Sequence, residues 1–149
     1  MNIHDKRTRA VAGALCIAVL GAIAILPRAL ASEEEQAEQD TAKTESENTK
    51  LVARGKRLYI FCQACHATEE SADHKIGPHL ADIIDRPVAS VEDSTYSAAL
   101  QEQDFVWNEE NLDLWIKKPS ALVPGTNMSF VGIPGAELRS ALIAYLKTL

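Results

Sequence analysis

Five consecutive residues, Cys62-Gln63-Ala64-Cys65-His66, constrain this chain more than any other stretch. On a helical turn, residues i and i+3 share a face, so both thiols can reach one edge of a flat ring, and His66 follows at once. This is the attachment pattern of a c-type haem. The sulfurs of Cys62 and Cys65 would add to the two vinyl groups of one porphyrin, and His66 would offer Nε2 to the iron from below. A thioredoxin-like redox pair would call for a βαβ pattern, and a zinc site for a second cysteine pair. Neither is present. The third cysteine of the chain, Cys16, lies in an apolar run and has no partner left for a structural disulfide.

A chain built around a porphyrin needs less protein core, and composition agrees. Its 149 residues leave room for one domain plus appendages, and only 5% are aromatic. A small domain poor in aromatics gains core material from a buried ring. With 15 Lys+Arg against 21 Asp+Glu, the balance is acidic, which disfavours nucleic acid and anionic lipid as partners.

The appendages come first. Lys6, Arg7 and Arg9 precede an apolar stretch over 10–26, which Pro27-Arg28 breaks before Ala29-Leu30-Ala31. A basic start, an apolar core and a small-x-small site read as a secretory signal over 1–31, cut after Ala31. The rival reading is an uncut membrane anchor. Both export the remainder, as haem attachment in bacteria requires. Residues 32–50 hold seven acidic side chains against Lys43 and Lys50 and no aromatic. Such a segment cannot offset the entropy of ordering, so it is expected to be a flexible acidic tail or tether.

Residues 51–149 form the domain. Helix formers run from Leu51 to Ala64 and deliver the attachment motif, with Gly55 as a break whose use would be close approach of a second helix. That helix is visible at the other end. Leu138, Ala141, Leu142, Tyr145 and Leu146 recur at helical spacing after Pro134-Gly135. A third is signalled by Asn108 as N-cap, Glu109 and Glu110 in the first turn and Pro119 as stop, with Leu112, Trp115 and Ile116 inward. A short helix near 97–103 is plausible. Strand alternation is nowhere sustained, and the long loops make sense if they wrap a cofactor. The domain is expected to be all-α.

The far side of the iron needs a ligand or none. Apart from Met1, the only methionine is Met128, in Pro124-Gly125-Thr126-Asn127-Met128. A proline and glycine ahead of it hold the backbone in a fixed loop, which would aim a thioether. A gap-filling core methionine is the plain alternative. His74 and His79 are rival ligands, placed by sequence toward the proximal side. His/Met ligation leaves no open position and raises the reduction potential, which suits electron transfer.

These residues occur in one order that is highly specific. Gly55 and Tyr59 precede the haem motif, and Gly77-Pro78-His79-Leu80, Arg86, Tyr96 and Trp107 follow it. Then come Pro124-Gly125-Thr126-x-Met128 and the helix through Leu142 and Tyr145. Over 51–149 the chain resembles class I cytochromes c, close to mitochondrial cytochrome c and its bacterial periplasmic relatives. The resemblance implies their fold, in which N- and C-terminal helices cross and long loops wrap one covalent haem. It also implies that the Pro78 carbonyl fixes the His66 tautomer. Arg86, Tyr96 and Trp107 would serve a buried haem propionate, and Thr126 and Phe130 would flank the methionine side. Four positions depart from the family pattern: Tyr59 for phenylalanine at the helix crossing, Leu100 for a polar residue, Trp115 for a tyrosine near the sulfur, and Asn127 for a lysine.

The function expected is a one-electron carrier in the periplasm, not an enzyme. It would pass electrons from a quinol-oxidising cytochrome complex to a terminal oxidase or photosynthetic reaction centre, working as a monomer. The alternative is a haem enzyme or gas sensor of peroxidase type with a labile sixth ligand, and a more distant one is a thiol oxidoreductase. In the mitochondrial type a lysine ring steers docking. Here only Lys75, Lys117 and Lys118 lie near the corresponding stretches, so docking is expected to rest on Phe61, Phe130 and Ile133.

Overall fold

The computed structural model describes residues 26–70 and 75–149, with side chains from residue 39 onward. The apolar run of the N-terminus up to residue 25, Cys16 and His74 therefore lie outside the described residues. The first helix, α1, spans Leu26–Leu58, so the backbone is helical through 32–50, the stretch expected to be a flexible acidic tail or tether. The cause is local. After Pro27, well placed in a first turn, no proline or glycine occurs until Gly55, and Ala, Glu, Gln and Lys predominate. From 39 to 50 every side chain is exposed. The expected cut after Ala31 falls within the helical backbone. Among the described residues, no helix is long and apolar enough to cross a membrane.

Chain contacts define one compact unit over Thr44–Leu149. In it α1 ends at Leu58 with Lys56 and Arg57 in its last turn, where cations favour the helix dipole. A single 3-10 turn, Tyr59–Phe61, follows. Three further short helices are α2 (Ala98–Gln101), α3 (Glu109–Lys117) and α4 (Pro119–Leu122). The last is α5 (Ala136–Leu146). Asn108 caps α3 as the sequence signals, and Ser97 caps the short helix α2. Ser97 accepts from the Leu100 amide, and Asn108 from the Asn111 amide at 2.8 Å. Pro119 does more than stop α3, because it also opens α4 at a position needing no amide donor.

Gly55 is where α1 meets α5. A Cβ there would lie 1.9 Å from the Ala141 carbonyl oxygen, so only glycine lets the two backbones come this close. One turn on, the Tyr59 and Tyr145 rings meet edge to face, centroids 5.5 Å apart. α3 packs on α5 and α4, with Leu112, Trp115 and Ile116 buried as their spacing predicts. On α5, Ala141, Leu142 and Leu146 are buried, and so is Arg139, a charged residue outside the apolar spacing. Among the described residues there is no strand. A lone antiparallel bridge, Pro87 to Val106, brings Arg86 opposite Trp107, whose amide donates to the Arg86 carbonyl at 2.9 Å.

Candidate functional site

The attachment motif sits just past α1, in turns rather than inside the helix. The Cys65 amide donates to the Cys62 carbonyl at 3.0 Å, and the His66 amide to the same oxygen at 2.9 Å. These bonds give the i to i+3 cysteine spacing a common face without a continuing helix. Burial pushes the Cys62 thiol up to about 11, with Cys65 adding to the rise. A thiol held protonated this way is a poor nucleophile, the opposite of what a disulfide exchanger needs.

His66 is held from several sides. Its Nδ1 lies 2.7 Å from the Pro78 carbonyl, so Nδ1 carries the proton and Nε2 keeps its lone pair. Burial lowers the His66 pKa, the Pro78 bond raises it, and Lys75 and Arg86 lower it further; the net effect favours the neutral, ligating form. Gly77 packs flat on the imidazole, where a Cβ would come within 2.4 Å of Cε1. The His66 carbonyl accepts from the Tyr59 hydroxyl at 2.9 Å and from Lys75 Nζ at 3.2 Å. Lys75 also donates to the Gln63 carbonyl. The Tyr59 hydroxyl and Lys75 are partners that sequence reasoning missed. A tyrosine standing where the family has phenylalanine was the available signal.

Above this turn lies a cavity of about 380 Å³, within the range of cofactor sites. Cys62, Cys65, His66 and Pro78 line one part of it, Arg86, Tyr96 and Trp107 another, and Thr126 and Met128 a third. Every residue picked from sequence as a haem contact thus faces one space, as do Leu100, Trp115 and Phe130. His79 does not line it. Its carbonyl accepts from Arg86 Nη2 at 2.9 Å, while its buried Nδ1 has no hydrogen-bond partner. A more open groove of about 630 Å³ lies between the α1 end, α3 and α5. It is crossed by the exposed Lys147–Glu109 pair and offers no sulfur or imidazole.

The Met128 loop begins with a tight turn. The Thr126 amide donates to the Val123 carbonyl at 3.2 Å, and Gly125 has φ +92°, the pattern of a type II turn with Pro124 at its second position. The Met128 amide then donates to the Thr126 hydroxyl at 3.2 Å. On the opposite wall Arg86 is half-buried. It gives Nη1 to the Ala81 carbonyl at 2.8 Å and Nη2 to His79. Burial lowers its pKa, and Tyr96 and Asp82 oppose that. Among the described residues it forms no ion pair with a carboxylate. A desolvated guanidinium facing a cavity without a counter-ion suits a ligand carboxylate. Tyr96 accepts from the Val91 amide at 3.2 Å, which leaves its own hydroxyl proton to donate.

The donor set fits a haem: two thiols on one face, a neutral imidazole with a free Nε2, an apolar cavity, and a half-buried guanidinium with no carboxylate among the described residues in direct contact, suited to a propionate. One expectation changes. Ile133 is only 6% exposed, whereas Phe61, Ile76 and Val131 are 61%, 86% and 93% exposed. Of these, Phe61 and Ile76 line the cavity and form its exposed apolar edge, Val131 is exposed next to the lining residue Phe130, and Ile133 takes no part.

Comparison with known proteins agrees. The family model described as Cytochrome c matches residues 52–149. Cytochrome c2 of Afifella marina is 40% identical over 101 residues, 66% of this chain and 82% of that protein. A cytochrome c homolog of Rickettsia prowazekii (strain Madrid E) is 38% identical over 109 residues, 73% of this chain but only 59% of its own length. Among solved structures, cytochrome cH from Methylobacterium extorquens superposes with a TM-score of 0.62 at 31% identity, covering 66% of this chain and 98% of that one. The chain belongs to the cytochrome c family, with the class I fold and one haem c bound covalently through Cys62 and Cys65.

Proposed function

We propose that this chain is a one-electron carrier of the periplasmic side of a bacterial membrane, with His66 and Met128 as the two axial ligands. It would run between a quinol-oxidising cytochrome complex and a terminal oxidase or photosynthetic reaction centre. One observation carries the ligation: the cavity that holds Cys62, Cys65 and the imidazole of His66 is also lined by Met128, and no other methionine exists beyond Met1. Support for a carrier rather than an enzyme comes from the relatives, which are named cytochromes c2 and c homologs. When bound, the haem supplies a ferric/ferrous couple. The protein's part is to keep its surroundings alike in both states. The Pro78 bond holds the imidazole in one tautomer and orientation. The apolar walls exclude water, and Arg86 with Tyr96 would hold a propionate. A haem enzyme would want an open iron position, which a thioether at Met128 denies.

The test is the optical spectrum of exported protein and of Met128→Ala. Wild type should show a c-type ferrous α-band and the weak near-infrared band of methionine on ferric iron. Met128→Ala should keep covalent haem, lose that band, bind carbon monoxide and have a markedly lower potential. A near-infrared band surviving in the variant would overturn the assignment. Docking, in this reading, uses the exposed apolar edge formed by Phe61 and Ile76, with exposed Val131 beside Phe130. The N-terminus would be either a signal cut after Ala31 or a retained anchor. Sequencing of the mature chain, beginning at Ser32 or at Met1, decides between them.

A further inference from the structure

Arg139 is the one buried charged side chain among the described residues, at 5% exposure, and nothing in the haem site uses it. Its guanidinium reaches three segments from α5. Nε and Nη2 donate to the two carboxylate oxygens of Asp113 on α3, at 2.7 and 3.1 Å. Nη1 donates to the carbonyls of Ile133, at 3.1 Å, and of Pro134, at 2.6 Å. Those two carbonyls end the loop that carries Met128.

The loop needs such a hold. Its interior hydrogen bonds are all short-range: Thr126 to Val123, Met128 to Thr126, and Phe130 to Met128 at 3.0 Å. They shape the loop without tying it to the rest of the protein. The ties lie at its ends, where Val123 is buried at 1% exposure and the Ile133 amide donates to the Ile116 carbonyl at 2.9 Å. Among the described residues, Arg139 is the only side-chain tie at the far end that joins α5, α3 and the loop together. A buried guanidinium is tolerated only while its donors and its charge are satisfied. Partial release would leave Arg139 buried without enough acceptors, so the grip favours a fully docked loop end over graded loosening.

Building on the ligation reading above, we infer that Arg139, held by Asp113, is a positioning residue that keeps Met128 aimed into the cavity. Arg139→Lys keeps the charge but cannot fork between a carboxylate and two carbonyls. Asp113→Asn keeps the shape but removes the counter-charge.

The experiment uses ferric holoprotein and adds imidazole, which binds only where the iron's far side is vacated. Its apparent affinity therefore rises with the open fraction. Arg139→Lys should raise that affinity about ten-fold or more and weaken the near-infrared band, and Asp113→Asn should act in the same direction. Tyr145→Leu, on the same helix but packed on Tyr59 rather than the loop, serves as the control. At an equal or larger fall in thermal midpoint it should leave imidazole affinity unchanged. Wild-type affinity in both loop-end variants, or an equal rise in Tyr145→Leu, would overturn the latch. A wild-type protein with no near-infrared band would overturn the methionine ligation and the latch with it, whereas an intact wild-type band with unaltered variants sinks the latch alone.

Discussion

The two sides of the cavity are built on different plans. On the histidine side, bonds run between distant parts of the chain: His66 to Pro78, the Gly77 amide to the Cys65 carbonyl at 2.8 Å, and the Leu80 amide to the Ala67 carbonyl at 2.9 Å. Tyr59 and Lys75 add two more to the His66 carbonyl. On the methionine side, bonds inside the loop span only two or three residues, and the loop is held at its ends. Long-range, interlocked bonds are lost together with the fold. Local ones can open alone, at a smaller free-energy cost. His66 is thus built into global stability, and Met128 into a sub-structure that can respond by itself.

The largest test removes what both sides share. Among the described residues, nine of the sixteen buried hydrophobic residues line the haem cavity, Leu80, Trp107, Leu112 and Leu142 among them. Protein made without haem attachment should therefore lack a cooperative melt and show little amide protection on either side. Protection surviving in 62–80 alone would show that the histidine side is self-sufficient, and would widen the difference between the two. A fully protected apo-protein would erase it.

Next in size is Gly77→Ala. The new Cβ would fall 2.4 Å from His66 Cε1, and the ring cannot retreat while Nδ1 stays bonded to Pro78. Overpacking usually costs about 1–3 kcal/mol, and here the upper end or more is expected because the neighbour is pinned. Denaturant titration of holoprotein should show the midpoint falling well below that of Met128→Ala, which alters the other ligand outright. The reverse order would break the comparison.

A finer contrast sets one hydrogen bond on each side against the other. Tyr59→Phe removes the bond to the His66 carbonyl and keeps the ring on Tyr145, so it should cost about 1 kcal/mol of global stability. The near-infrared band should not change. Thr126→Val removes the acceptor of the Met128 amide. It should shift global stability less, yet raise access of imidazole to the iron. If the two variants trade these effects, the division into an interlocked side and a free-standing loop is wrong.

How much of this could be read from residue order depends on the distance over which the physics acts. Local signals translated directly: Asn108 as a cap, the α3 face of Leu112, Trp115 and Ile116, and the Pro124-Gly125 turn. Gly55 pointed to a close helix crossing because glycine inside a helix otherwise costs stability. The nine residues picked for the haem site face one cavity, but for Arg86, Tyr96 and Trp107 that rested on family resemblance, since their wall is assembled by an irregular bridge that carries no periodic pattern. Arg139 was missed because helical periodicity sorts residues by hydropathy and cannot foresee a carboxylate 26 positions away. Helicity through 32–50 was not read from the sequence for a different reason. The lack of apolar residues there speaks to packing, whereas helix propensity in an Ala-, Glu- and Lys-rich stretch acts locally.

The smallest expected effects concern the rim, to which both sides contribute. Phe61 and Ile76 line the cavity from the histidine side, Phe130 lines it from the methionine side, and Val131 next to Phe130 is exposed like Phe61 and Ile76. Residues 51–149 carry 9 basic and 13 acidic side chains, and several cations are already engaged. Arg139 pairs with Asp113 and Lys147 with Glu109, while Lys75 caps two backbone carbonyls. A surface of this kind offers contact area rather than a field. Rim charge governs association rate and its salt dependence more than final affinity. The second-order rate with the natural acceptor should therefore vary by less than about three-fold as the Debye length falls from about 30 to 8 Å. Lysine at Phe61 or Ile76 should slow the reaction more than Lys117→Ala does, with the spectrum and thermal midpoint nearly unchanged. Ile133→Lys is expected to act differently, because that side chain is buried and its amide bonds to α3; it should lower stability first and turnover only through it. If Val131→Lys alone matters, the loop side makes the contact and the histidine side serves only to hold the haem. A steep fall in rate with salt would show instead that charge, not apolar contact, brings the partners together.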